Sequence, residues 1–116
     1  METDETFEKL EVWRKSHALS IELYRLLAEC RDWGFRDQIT RAANSISDNI
    51  AEGAERPGKA EFRVFIGYAR GSAGETRSQV RRAKALAYIT DENADRLITD
   101  LLDISRKLWR LYKSME

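Results

Sequence analysis

The sequence has few residues that form disulfides, break helices or bind metals: it contains one cysteine, one proline and one histidine among 116 residues. A single cysteine excludes an intrachain disulfide and is typical of a protein in a reducing compartment. A single histidine excludes a histidine cluster for zinc, and the chain also lacks the Glu-x-x-His pairs of a di-iron bundle. We therefore predict a protein with no metal and no cofactor.

Two further absences concern charge balance and hydrophobic length. Lys and Arg together number 20, as do Asp and Glu, so no net charge attracts nucleic acid or a membrane to the chain as a whole. No apolar run approaches the ~20 residues of a transmembrane helix, and the acidic start METDETFEKLE lacks the apolar core of a signal peptide. We expect a cytoplasmic protein with no membrane partner, in which any attraction for a polyanion comes from local sorting of charge.

The sequence that is present divides into four helical segments. Pro57 and Gly58 mark one break, Gly34 marks another as a candidate helix C-cap, and Thr90 or Asp91 is a candidate N-cap of the last helix. Apolar residues recur at helical spacing within each segment, and we find no strand-like alternation and no internal repeat. The pattern predicts helices near residues 8–31, 35–54, 59–88 and 92–114.

Long helices joined by short loops pack as antiparallel neighbours, so the predicted fold class is all-α, an antiparallel up-down four-helix bundle. We predict a single domain over residues 8–114, preceded by an acidic N-terminal arm at residues 1–7. The third helix would be roughly 45 Å long for about 30 residues, which is long for a small bundle. Its ends or flanks are therefore expected to contact another subunit, and the bundle is expected to assemble into a ring.

Cations gather on one flank of the third helix when its residues are placed about 100° apart. This basic stripe consists of Lys59, Arg63, Arg70, Arg77, Arg81 and Lys84. Spaced cations on a rigid rod displace the condensed counterions of a polyanion, so the stripe is a candidate surface for RNA or another nucleic acid. Solvation, or pairing with acids of the same or a neighbouring subunit, is the alternative. Tyr68 points to the opposite side, so the third helix offers no aromatic platform for a single strand.

Small residues occupy another side of the third helix. This small-residue row consists of Gly67, Gly71, Gly74 and Ser78. Each glycine costs a helix ~1 kcal/mol relative to alanine, so three of them need a compensating gain. We expect the row to permit close approach by another backbone, either inside the bundle or from a second subunit.

Polar residues border the apolar faces of the second and third helices. The row on the second helix is Gln38, Arg41, Ser45, Asn49 and Glu52, and the row on the third is Ser72, Glu75 and Gln79. A buried polar group without a partner costs roughly 1–3 kcal/mol, so we expect the two rows to face each other as a network that fixes register. A binding cleft at the same place is the alternative.

Candidate catalytic residues are few. His17 is expected to be a hydrogen-bonded packing residue on the apolar side of the first helix. A Ser-His-Asp triad would need Ser45 or Ser72 together with His17 and Asp48. The spacing of these residues does not support such a triad, and the sequence has no nucleophile elbow. Glu52 and Glu75 form a conceivable carboxylate pair, although nearby arginines are simpler partners for both. We predict no catalytic residues and no enzyme.

Three motifs are specific enough to indicate a family. They are LEVWRKSH at 10–17, QITRAANSISDNIAEG at 38–53 and FRVFIGYARGSAGETRSQV at 62–80. Together they resemble the four-helix-bundle proteins encoded by intervening sequences within bacterial 23S ribosomal RNA genes, over nearly the whole chain. The resemblance implies a small antiparallel bundle that assembles as a ring, typically a homopentamer, and the function of that family is not established.

The same fold is similar to the accessory variability protein of diversity-generating retroelements, a basic pentameric barrel that works with a reverse transcriptase and nucleic acid. The resemblance therefore implies three candidate partners: further copies of this chain, RNA or another nucleic acid, and a nucleic-acid enzyme. Our functional hypothesis is a non-enzymatic homo-oligomeric bundle that binds RNA through the basic stripe. The alternative is a protein-interaction scaffold with no nucleic-acid role.

Overall fold

The computed structural model describes residues 7–116, which contain four α-helices and no β-strand. The helices are α1 Glu11–Leu26, α2 Trp33–Ala54, α3 Lys59–Ala85 and α4 Asp91–Ser114. Each helix packs against the next along the chain, and α4 returns to α1 to close the bundle. The predicted all-α, antiparallel four-helix bundle is confirmed, and the ring stays a prediction. The predicted arm lies outside the described residues except for Phe7.

Side-chain caps define where two of the helices begin. The Asp32 carboxylate accepts a hydrogen bond from the Phe35 backbone N–H at 3.2 Å and so caps α2. Gly34 consequently lies in the first turn of α2 and does not end the first helix, which corrects the expected boundary. The Thr90 hydroxyl accepts a hydrogen bond from the Asn93 N–H at 3.1 Å, confirming the predicted cap of α4.

The core runs along the bundle axis and is almost entirely aliphatic. Its fully buried large side chains are Leu23, Leu27, Ile39, Ile46, Ile50, Ile66, Val80, Leu97, Leu101, Ile104 and Leu108. Burial of one such side chain contributes roughly 1.5–3 kcal/mol, so this set supplies the main driving force for folding.

The structure corrects the expected position of His17 on α1. His17 is exposed and stacks on the Trp13 ring with the ring centroids 4.7 Å apart, so it is not a core residue. Ser16 and Ser20 are buried in its place, and their hydroxyls donate to the carbonyl oxygens of Trp13 and His17 at 3.1 and 2.7 Å. A serine whose hydroxyl is hydrogen-bonded within its own helix can face the core. A sequence pattern that treats serine as polar does not predict this burial.

The tightest helix contact lies between α2 and α3 at Gly53, which is buried. A Cβ atom added there would lie 2.6 Å from the Phe65 Cβ atom and 3.3 Å from the Phe62 carbonyl oxygen. Only a residue without a side chain fits at that distance. The close approach expected of a glycine therefore occurs at this position of α2.

Candidate nucleic-acid interface

A groove of about 800 Å³ runs along the surface between α3 and α4. This α3–α4 groove is lined by Gly67, Arg70, Gly71, Gly74 and Arg77 of α3 and by Leu102, Ser105, Arg106, Trp109, Arg110 and Tyr112 of α4. Four of these described residues are arginines, and none is an aspartate or a glutamate. The groove therefore combines cationic walls with an apolar interior.

The glycines of the small-residue row leave the floor of the groove open. A Cβ atom added at Gly71 or Gly74 would meet nothing within 4 Å, and one added at Gly67 would meet the Tyr112 ring at 3.6 Å. Within residues 7–116 no other backbone approaches these glycines closely. The expectation of a close backbone contact inside the bundle is therefore wrong for this row. Ser78 is exposed outside the groove lining, and a contact between subunits through this row stays a prediction.

One cation near each end of the basic stripe is paired with an acid of the same chain. Lys84 donates to the Asp95 carboxylate at 2.7 Å, and this hydrogen bond raises the pKa of Lys84. Arg63 donates from Nε to the Tyr112 carbonyl oxygen at 3.2 Å, and its Nη2 atom lies 3.4 Å from a Glu116 carboxylate oxygen. These two cations are already engaged, as the alternative interpretation of the stripe proposed.

The middle of the basic stripe is not neutralised. The Arg70 guanidinium lies 5.0 Å from the centroid of the Trp109 ring, Arg77 is half-buried in the groove, and Arg81 is exposed beyond it. In the described part of the chain none of these three arginines forms an ion pair, and neither does Lys59 at the start of α3. The stripe thus has one paired cation near each end, Arg63 and Lys84, and an unpaired centre, while Lys59 is also unpaired in the described residues.

α4 supplies four groove residues that sequence reasoning missed: Arg106, Trp109, Arg110 and Tyr112. Trp109 is 44% exposed, and its ring stacks on Tyr112 with centroids 5.7 Å apart and planes 15° apart. The available signal was an apolar stripe on the last helix wider than a bundle seam needs, with arginines on both sides of the tryptophan. Through Trp109 this pair places an exposed aromatic ring in the groove, which the third helix alone does not.

The structure brings together three members of the polar rows. Ser72 donates from Oγ to the Ser45 hydroxyl at 3.0 Å, and Asn49 donates to the same hydroxyl at 2.9 Å and to the Ser45 carbonyl oxygen at 2.8 Å. This small network joins α2 to α3. Gln79 is buried at 6% exposure, and its Oε1 atom has no hydrogen-bond partner in the described chain.

The other members of the polar rows lie on the surface and take no part in a network between helices. Gln38 and Glu75 are exposed. Arg41 pairs with Asp37 at 2.6 Å, and Glu52 pairs with Arg56 at 2.8 Å, in each case one turn away on α2. Local partners at i and i+4 satisfy these side chains without a second helix.

No catalytic arrangement forms around the residues considered for one. Ser45 and Ser72 bond to each other, while His17 is exposed on α1. Glu52 already has an arginine partner, and Glu75 is exposed. Across residues 7–116 no group of three or more His, Cys, Asp or Glu side chains is placed to hold a metal ion. None of the helices in this range is both long and apolar enough to cross a membrane.

Cations on the other side of α4 behave differently. Lys107 and Lys15 each donate to the same Asp103 carboxylate oxygen at 2.6 Å. These hydrogen bonds, that of Lys107 first, lower the pKa of Asp103 to about 2. Arg96 pairs in the same way with Glu22 across this α1–α4 seam. Acids thus neutralise these three cations at the α1–α4 seam, whereas no acid is among the described residues that line the α3–α4 groove.

Comparison with known proteins agrees with the three motifs. Residues 8–110 match the family model described as 23S rRNA-intervening sequence protein. A crystal structure of a protein of unknown function from the S23 ribosomal protein family of Bacteroides thetaiotaomicron VPI-5482 is similar, with a TM-score of 0.81 and 25% identity. The similarity covers 88% of this chain and 98% of that chain. No curated protein matches the chain.

Proposed function

The chain belongs to the 23S rRNA-intervening sequence protein family, and from that premise we propose that it is a non-enzymatic bundle that binds RNA, or another nucleic acid, in the α3–α4 groove. One observation carries the proposal: Arg70, Arg77, Arg106 and Arg110 line a single groove that contains no acid among the described residues. The proposed contact surface is the unpaired centre of the basic stripe together with the cations of α4.

Charge in a cleft acts more strongly than the same charge on a convex surface. A cleft lined by one sign of charge focuses the field and raises the local concentration of counterions, polyanions included. Four guanidinium groups in one groove also repel one another, and a bound polyanion relieves that repulsion. The chain has as many acids as cations, so their absence from this groove is a matter of placement.

The spacing of the arginines suits a short stretch of phosphates. Arg70 and Arg77 lie two turns apart, about 10.5 Å along α3, and Arg106 and Arg110 lie about 6 Å apart along α4. Guanidinium groups bind phosphate oxygens with two parallel hydrogen bonds, which makes arginine well suited to this contact. Such contacts hold the backbone and read no sequence, so we expect binding that depends little on base composition.

The second candidate is a protein-interaction scaffold, and the paired cations near the ends of the basic stripe favour it. Lys84 and Arg63 are already engaged by Asp95 and Glu116 of the same chain. In this version the groove receives an acidic partner, either another copy of the chain in the homopentamer that the resemblance implies or a nucleic-acid enzyme. The exposed Trp109 would then be covered by protein.

Purification of the full chain at low and at high salt separates the two candidates. The RNA-binding proposal predicts nucleic acid in the low-salt preparation, seen in the ratio of absorbance at the nucleic-acid and protein maxima, and its release at high salt. Light scattering in the same samples gives the mass of the assembly. A protein free of nucleic acid at every salt concentration, with a mass that depends on the groove arginines, would favour the scaffold.

A groove variant and a charge-matched control sharpen this test. The groove variant carries Arg70→Gln, Arg77→Gln, Arg106→Gln and Arg110→Gln. The control carries Arg14→Gln, Arg25→Gln, Arg31→Gln and Arg41→Gln, which removes the same charge from the α1–α2 half of the bundle. We expect the groove variant to lose nucleic acid at low salt and the control to retain it. Equal retention by both variants would contradict the proposed surface.

A further inference from the structure

We infer that the α3–α4 groove selects an unpaired strand over a duplex and stacks one of its bases on Trp109. This inference rests on the proposed function, which it makes more specific. The proposed function requires only that phosphates reach the groove arginines. The inference adds which form of nucleic acid enters and which side chain contacts a base.

The size of the groove sets the first step. Its volume of about 800 Å³ accommodates a short stretch of one strand, whereas a duplex is too wide to enter a depression on the surface of two packed helices. Arg77 is half-buried along this groove, and the glycines at its floor leave room beneath the arginines. A duplex would touch the rim of the groove only, whereas an unpaired strand can lie inside it.

The second step is that one aromatic ring in the groove is available and its neighbour is not. Arg63 lies 3.8 Å from the centroid of Tyr112 and is held there by hydrogen bonds to the Tyr112 carbonyl oxygen and Glu116. Arg70 lies 5.0 Å from the centroid of Trp109 and has no acid partner in residues 7–116. Trp109 is 44% exposed, and the cations beside its ring are Arg70 and Lys113, whose ammonium lies 5.5 Å from the centroid, so a base gains the ring by displacing a mobile cation.

The third step concerns what Arg70 does when a base arrives. A base that stacks on Trp109 displaces the Arg70 guanidinium from above the ring, and the phosphates of the same strand are then its nearest counterions. Arg77, Arg106 and Arg110 line the same groove and favour a polyanion over an apolar protein segment. A stacked base adds affinity without sequence preference, because every base presents a π-face.

The experiment compares a labelled oligouridine strand, free and annealed to oligoadenine, by fluorescence anisotropy with the full chain. We expect Trp109→Leu to weaken binding of the free strand about tenfold and Trp109→Phe, which keeps a stacking ring, to stay close to the unmodified protein. Trp33→Leu is the matched control, because Trp33 is 71% exposed at the start of α2 and lies outside the groove. The duplex should bind more weakly than the free strand.

Indole fluorescence gives a second readout that survives a failure of Trp109→Leu to fold. Quenching by oligouridine should persist in a double variant with Trp13→Phe and Trp33→Leu, which leaves Trp109 as the one tryptophan of the three. Absence of quenching in this double variant despite binding would overturn the inference.

Three further outcomes separate the inference from the proposed function. Equal binding of strand and duplex, with Trp109→Leu unchanged, would overturn the inference and leave the proposed function standing. No binding of either form by the unmodified protein would overturn both. A changed assembly mass in Trp109→Leu with unchanged RNA affinity would assign Trp109 to a protein contact and overturn the inference.

Discussion

On the α1 side of α4, Lys107 shares the Asp103 carboxylate with Lys15, and Arg96 pairs with Glu22. On the α3 side of the same helix, the arginines of α4 face those of α3, with no acid among the described residues of the groove. The seam and the groove share one amphipathic helix and differ in whether acids lie beside their cations; on the α3 side an acid of α4 pairs only outside the groove lining, where Asp95 meets Lys84.

The difference shows that a chain with equal numbers of acidic and basic residues still has a surface region with an excess of positive charge. The chain holds 20 basic and 20 acidic residues, and the α1–α4 seam uses its acids to join two helices. Like charges gathered without acids cost stability, and natural proteins retain such costs where a function depends on them. We therefore interpret the seam as structural and the groove as the functional surface.

The prediction with the largest expected effect compares an alanine substitution in the closed α2–α3 contact with one in the α3–α4 groove. The comparison tests whether the groove is open in solution. Gly53→Ala should lower the free energy of unfolding by about 1–3 kcal/mol, because its Cβ atom would overlap Phe65 in the closed α2–α3 contact. Gly74→Ala should raise it by about 0.5–1 kcal/mol, since the added methyl group meets nothing within 4 Å in this chain. Urea unfolding of both variants measures the contrast. Destabilisation by Gly74→Ala would indicate that another copy of the chain covers the groove.

The second prediction makes the groove resemble the seam by giving it an acid. Ser105 lines the groove and is half-buried there. Ser105→Glu should pair with the groove arginines and compete with phosphate, lowering the affinity for oligouridine about tenfold as one phosphate contact is lost. Ser105→Gln, which matches the size without the charge, is the control. Equal affinities of the two variants would show that the groove arginines do not meet phosphates.

The third prediction removes the acid that holds the seam together. Asp103→Asn should lower the free energy of unfolding by about 1 kcal/mol, because Lys15 and Lys107 lose their shared partner on a partly exposed surface. Affinity for oligouridine should stay unchanged, since Asp103 and its two lysine partners do not line the groove. Reduced RNA affinity in this variant would contradict the assignment of the seam cations to stability and the groove cations to binding.

The pH dependence of stability follows from the same carboxylate. The hydrogen bonds from Lys107 and Lys15 lower the pKa of Asp103 from its ordinary 3.8 to about 2 in the folded chain. The stabilisation of the folded chain by ionised Asp103 is therefore present at pH values above the ordinary pKa of 3.8. It is lost as the pH falls through about 2. The difference in melting temperature between the unmodified protein and Asp103→Asn should shrink over that interval. A constant difference would place the stabilisation elsewhere.

The fold was predictable because the periodicity of apolar residues decides it. The break at Pro57 and Gly58 and the cap at Thr90 are local signals, and the structure has a helix boundary at each. The packing role predicted for His17 was wrong, and the burial of Ser16 and Ser20 was not predicted, because their hydroxyls are satisfied within the helix. Local chemistry of this kind is invisible to a pattern that scores serine as polar.

The groove was only half predictable, for a geometric reason. The stripe arginines of α3 share one helix, so their common flank follows from spacing alone. Arg106, Trp109 and Arg110 belong to α4, and a sequence does not say how far each helix is rotated about its own axis. The opposing wall, including the exposed tryptophan, therefore became visible only when the two helices were placed side by side.

The most direct test of the central claim is the salt dependence of oligouridine binding by the unmodified protein and the groove variant. Four phosphate contacts by a single strand predict a slope of about −3 in log affinity against log salt concentration, or about 50-fold weaker binding from about 50 to 200 mM salt. The groove variant should give a slope close to zero, and the charge-matched control should keep the steep one. A slope near zero for the unmodified protein, or the same steep slope for the groove variant, would contradict the account.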